Sequence, residues 1–231
     1  MGALFYMASI GSVAGPIPGL HRGVRGEKLP ALSRNGLGRV LKNTATNMIE
    51  GTFKPQILVA MPSLKDGYFD KSVVLLCEYN ESGAMGFVIN SPSTTSVDDL
   101  LSELGLQSKP DQLQPIMIGG PVQPELCWVV HTPEYSGRST TALGEGLALS
   151  AAQEVLTSLT EGPFPSEYML GVGYAGWGPE QLDKEIEQES WWIADLDPLE
   201  IIRSTCDSRW DLVMHELGFT KSPYFCATAK A

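Results

Sequence analysis

Ser72-Val73-Val74-Leu75-Leu76-Cys77-Glu78-Tyr79-Asn80-Glu81-Ser82-Gly83-Ala84-Met85-Gly86-Phe87-Val88-Ile89-Asn90 is two short apolar runs separated by residues that favour a turn. Neither run alternates polar and apolar positions, so each reads as a strand buried on both faces, over 72–79 and 83–90. Asn80, Glu81, Ser82 and Gly83 join them into a hairpin. On either side, further strands are expected at 57–61, 116–118, 127–132, 168–174 and 191–194.

Helices announce themselves by their ends. Ser96 with Asp99 is close to a capping box, with Gly105 as the stop; Ser150 with Gln153 is a full box, with Gly162 beyond its end. Pro179 opens a helix over 179–190 whose first turn is acidic (Glu180, Asp183), and Asp207 and Gly218 bracket the last, over 208–217. Hairpin strands with irregularly spaced helices favour α+β over a doubly wound sheet.

The chain has 231 residues, 43% hydrophobic and 19% charged, which is the composition of an ordinary globular protein. Its net charge of −11 is uneven. Residues 1–50 carry six basic and two acidic residues, the remainder ten basic and 25 acidic, so the first part is +4 and the rest −15. An acidic domain is poorly suited to unspecific phosphate-backbone binding, so direct nucleic-acid binding is not expected. Residues 1–47 are expected to be a flexible extension that packs poorly, with Met48 as the natural start of a single domain over 48–231; an Arg-rich organellar transit peptide is the alternative reading of that extension. The uncharged start is interrupted by Pro16 and Pro18 and has no basic segment before it. Neither a secretory signal nor a membrane span is expected, and the domain is expected to be cytoplasmic.

Motifs mostly exclude chemistry. Gly171-Val172-Gly173-Tyr174-Ala175-Gly176 satisfies the dinucleotide pattern, and Asp195 lies 19 residues past Gly176. Trp177, Gly178 and Pro179, however, postpone the helix whose N-terminus must meet the pyrophosphate. These glycines are expected instead to let the backbone pass beside Tyr174 and Trp177 in a tight, packed turn. No Gly-Lys dipeptide and no GxSxG is present, and His215-Glu216-Leu217-Gly218-Phe219 has Phe219 where a zinc site needs its second His. With only His21, His131 and His215, no metal site and no cofactor is expected. The four cysteines (77, 127, 206, 226) form no CxxC, and Cys77 and Cys127 lie in apolar runs that mark buried thiols.

Several blocks carry more specific information: Ala60-Met61-Pro62-Ser63-Leu64; Ser72-Val73-Val74 through Glu78; Gly83-Ala84-Met85-Gly86 with Ile89-Asn90; Gly119-Gly120-Pro121; Val130-His131-Thr132; Gly173-Tyr174-Ala175-Gly176-Trp177 with Gln181-Leu182; Trp191 or Trp192; and Arg209-Trp210. In this order and spacing the chain resembles the YqgE/AlgH family of bacterial proteins over about 53–219. That resemblance implies an α+β fold in which a bifurcated, mostly antiparallel sheet forms a pseudo-barrel with helices packed outside. It implies no established reaction, and the family's label of transcriptional regulator rests on a genetic link to exopolysaccharide control. Tyr79 stands where a His is common in the family, which removes one catalytic or metal-binding group, and 147–156 is divergent.

Shared glycines are explained by backbone geometry alone. The polar and aromatic set Glu78, Asn90, His131, Tyr174, Trp177, Gln181, Arg209 and Trp210 is not, and these are the candidate ligand- or partner-binding residues. Three functions follow. The first is a non-enzymatic regulatory or binding protein acting through a protein partner or small ligand, which an exposed aromatic patch around Trp177 and Trp210 would support. The second is an enzyme with a cleft site using His131, Glu78 or Cys77, which requires two of them within hydrogen-bond reach. The third is a direct DNA-binding regulator, for which the composition provides no basic face.

Overall fold

The structure, a computed structural model, describes residues 54–65, 67–103, 114–144, 146–161 and 164–219. The 1–47 extension, the Met48 start and the helix stops at Gly105 and Gly162 lie outside the described residues. The strands are β1 (Gln56–Ala60), β2 (Val73–Asn80), β3 (Gly83–Val88), β4 (Pro92–Ser96), β5 (Pro115–Ile118), β6 (Val122–His131), β7 (Thr141–Leu143), β8 (Leu147–Ala151), β9 (Tyr168–Trp177) and β10 (Trp191–Ala194). The helices are α1 (Val97–Glu103), α2 (Ala152–Glu161), α3 (Gln181–Glu187), α4 (Pro198–Arg203) and α5 (Arg209–Glu216).

The hairpin forms as its sequence dictates. Asn80 faces Gly83 across a two-residue loop, Ser82 N–H donates to Asn80 Oδ1 (2.7 Å), and Gly83 supplies φ +133°. Around it the sheet runs β10-β1-β2-β3-β9-β6-β8-β7, with β5 parallel to β9 and antiparallel to β4. The branching is made by β9: its end, Ala175–Trp177, pairs with β3, while its earlier residues pair with β6 and β5. The result is the expected α+β class, a curled, mostly antiparallel sheet with a few helices.

Strands buried on two faces need a core on each. Val73, Leu75 and Cys77 of β2 face one side with Trp128 and Val130 of β6, covered by Ile201, Ile202, Trp210, Val213 and Met214 of α4 and α5. Val74 and Leu76 face the other side with Trp177 and Trp191, where Leu182 of α3 packs. The reverse face of β6 and β9 is covered by α1 and α2.

Four sequence expectations need correction. Ser150 does not cap a helix: it lies in β8, and α2 starts only at Ala152. Leu and Ala favour helix intrinsically, but all five residues of β8 are buried between β6 and β7, and that burial overrides propensity. Strand β6 starts at Val122, five residues early, through a bulged segment in which Gln123 takes φ +45°. The glycine motif is not a turn, because β9 continues through it to Trp177. Helix α3 begins at Gln181, because Glu180 takes a left-handed φ of 57°. Three elements, β4, β7 and α4, were not expected. The capping box at α1 is complete: Asp99 N–H donates to Ser96 Oγ (3.1 Å), and Ser96 N–H donates to Asp99 Oδ2 (2.9 Å).

The glycines of β9 make room for an indole. A Cβ at Gly171 would lie 2.1 Å from Cζ2 of the fully buried Trp128, and Trp128 Nε1 donates to the Gly173 carbonyl at 2.7 Å. Gly173 itself needs φ +67°, and a Cβ there would strike the Gly120 carbonyl at 2.4 Å.

Candidate functional site

The eight sequence candidates do not converge on one place. Asn90 is a staple: Val73 N–H donates to its Oδ1 (2.8 Å), and its Nδ2 donates to the Lys71 carbonyl (2.8 Å). Glu78 lies near the hairpin end and accepts from Asn80 Nδ2. Tyr174 is half-buried beside Gly176. Trp177 and Gln181 do meet, at Glu185, which accepts from Nε1 of Trp177 and of Trp191 (2.9 Å each) and from Gln181 Nε2 (2.9 Å). Trp210 donates to the Ala60 carbonyl (2.8 Å), and Lys71 Nζ sits 5.0 Å above its ring. The expected exposed patch around Trp177 and Trp210 is absent: each is 4% exposed, because the indoles are what α3 and α5 bury against the sheet. Tyr68 and Trp192 are the large aromatics left exposed among the described residues.

His131 is the centre of a buried relay. Its Nδ1 faces the Thr132 carbonyl (2.8 Å), which only accepts, so the proton sits on Nδ1; Nε2 then accepts from Ser150 Oγ (2.8 Å). Ser150 Oγ lies 2.7 Å from Thr140 Oγ1, which accepts from Gly137 N–H (2.7 Å). Burial holds the His131 pKa below its ordinary value, so the imidazole is neutral in this chain of bonds. Cys77 is fully buried, its thiol pushed well up by desolvation and turned to the Leu75 carbonyl. His131, Glu78 and Cys77 thus make their hydrogen bonds with other groups and not with one another. Tyr79 donates to Asp183 Oδ1 (2.6 Å) and ties β2 to α3.

Arg209 is different. It is 5% exposed and lines a cleft of about 440 Å³ between β5, the start of β9, and the turn from α4 to α5. Met117, Met169 and Ile202 give the cleft apolar surface, and Cys206 and the Arg203–Glu167 pair stand in its wall. Arg203 Nε donates to both Glu167 oxygens (2.8 and 3.0 Å). The Cys206 thiol, half-exposed in the short 3-10 turn Cys206–Ser208, points to Met117 Sδ at 4.0 Å. Arg209 donates to the carbonyls of Ile201 (3.1 Å), Ile202 (2.5 Å), Ser204 (3.0 Å) and Ile89, and to Met169 Sδ (3.7 Å). These bonds join the end of α4 to residue 89 beyond β3, so the cation organises the floor of the cleft. Tyr168 is also in the wall, but its ring packs across β9 against Phe164 (4.8 Å).

Met117 and Met169 were not legible in the sequence as cleft residues, because thioethers within apolar stretches look like core, and Cys206, set among polar residues in Ser204-Thr205-Cys206-Asp207-Ser208, carries no local pattern that marks a cleft. Among the described residues no group of three His, Cys, Asp or Glu side chains could hold a metal ion, and no helix is long and apolar enough to cross a membrane.

A branched, curled sheet with a half-polar cleft against helices α4 and α5 defines the class: an α+β domain with a cleft of small-molecule size. Comparisons with known proteins give the family. A family profile described as AlgH-like matches residues 57–222. A UPF0301 protein of Shewanella woodyi is 35% identical over 167 residues, which is 71% of this chain and 90% of its own. One from Xanthomonas campestris is 33% identical over 165 residues, 71% and 88% respectively. The solution structure of AlgH from Pseudomonas aeruginosa matches with a TM-score of 0.59 at 34% identity, covering 79% of this chain and 98% of that one. A crystal structure of a Corynebacterium diphtheriae protein matches at 0.57 and 26% identity, covering 76% and 93%. The chain belongs to the AlgH-like, or UPF0301, family.

Proposed function

We propose that the chain is a non-enzymatic binding protein that holds a small ligand in the cleft beside Arg209, and that any regulatory role runs through that ligand or a protein partner rather than through direct contact with DNA. The observation that carries this reading is the cleft itself: about 440 Å³, within the size range of small-ligand sites, with thioether and aliphatic surface beside a fixed guanidinium. An enzyme reading gains less support, since His131 has both ring nitrogens committed at 1% exposure and Cys77 is sealed. The deficit of basic residues after residue 50 weighs against DNA in the same way.

Native mass spectrometry of the purified protein against a metabolite library tests the proposal, with Cys206→Trp as a variant that fills the cleft. Circular dichroism first confirms that the variant is folded. Ligands retained by the wild type and lost by the variant are the expected result. A library from which nothing binds, or whose ligands bind both proteins alike, overturns it.

A further inference from the structure

Among the described residues, nothing neutralises the charge of Arg209. Its five N–H groups are spent on four backbone carbonyls and one thioether, and no carboxylate of the described residues bonds it. A guanidinium does not give up its proton in a protein, so burying it works against folding unless a counter-charge is close. Glu167, the one carboxylate in the cleft lining among the described residues, is already held by Arg203. The cleft walls therefore carry Arg203, Glu167 and Arg209, a net positive charge set in a part of the chain that is −15 overall.

We propose, building on the small-ligand reading above, that the cleft takes a small molecule with one anionic head and an apolar body. Pro115, Met117, Met169 and Ile202 receive the body. The head lies toward Arg209, which attracts it through its field because its strong donors are committed. The N–H that Arg209 directs at Met169 Sδ makes the weakest of its contacts, 3.7 Å to a thioether, and is the one a ligand oxygen would take over. Arg203 anchors Glu167 through Nε, which leaves its two terminal amino groups to close over the head at the mouth.

The test uses 8-anilino-1-naphthalenesulfonate as a fluorescent reporter on the native full-length chain, displaced by decanoate or by decanol, which share a body and differ in charge. The expected result is saturable one-to-one reporter binding that Cys206→Trp abolishes, with decanoate displacing it at about tenfold lower concentration than decanol. Arg203→Glu should erase that difference by weakening decanoate alone. Equal displacement by both compounds, with binding still lost in Cys206→Trp, overturns the anionic head and leaves the small-ligand reading standing. Reporter binding that is absent, or that Cys206→Trp leaves unchanged, overturns the cleft as the binding place and this inference with it.

Discussion

Arg209 and His131 are polar residues carried into the interior, and each is held there by complementary partners. For Arg209, removing a buried charge relieves desolvation, but removing its donors strands the carbonyls at the end of α4, and the second effect is the larger because four acceptors lose their partner together. Arg209→Met is therefore expected to cost at least about 3 kcal/mol in urea unfolding. Arg209→Lys should recover only part of the loss, since an ammonium has three donors and cannot span the fork. His131 gives a pH signature. Burial lowers its folded pKa below the ordinary 6.5, so the unfolded chain binds the proton more readily, and stability present above pH 6.5 is lost as the pH falls below it. Glu134, which accepts from Ser166 and Thr132 and is drawn down from 4.5 to about 2, adds a second loss between those values. Melting temperature against pH should fall in these two acid steps, and His131→Gln should remove the upper one. The sequence pointed to Arg209 by family resemblance and not by chemistry: nothing in Ser208-Arg209-Trp210 says that the arginine turns inward.

At the scale of elements, β9 is the strand on which three others depend, and its glycines are the reason they fit. Gly171→Ala places a methyl inside the volume of the Trp128 ring, and with Trp128 also packed 4.3 Å from Phe87 there is no space to yield. Destabilisation of roughly 1–3 kcal/mol is expected. Trp128→Phe should partly restore stability in the double variant, whereas simple additivity of the two losses would show that the clash is not with the indole. The same strand illustrates what the sequence makes legible. The hairpin of β2 and β3 is written in its own residues, since apolar runs and turn chemistry are local. Leu147-Ala148-Leu149-Ser150-Ala151 is not: it reads as the approach to a helix and becomes a strand only because β6 and β7 lie on either side. Strand β7, at three residues, and helix α4, at six, are too short to develop a period. The cleft was hidden for a related reason, as it is formed where residues 114–117, 166–169 and 202–209 meet, and no single segment carries its pattern.

Over the whole molecule, the two C-terminal helices close the largest core and also complete the cleft. A chain ending at Arg203 loses Trp210, Val213 and Met214 from that core together with Arg209. It is expected to lose the single cooperative unfolding transition of the full chain, while a sharp unchanged transition would show that the sheet stands without them. The long reach of these contacts has a consequence in time. Trp210 bonds Ala60 across 150 residues, Arg209 bonds Ile89 across 120, and β1 takes one of its two partner strands from residues 191–194. A ribosome delivers the first hairpin early and those partners last. For most of its synthesis the nascent chain therefore carries a finished strand pair with one flank bare, and the interval before residue 214 emerges is when a chaperone, or a neighbouring nascent chain, has its chance to bind.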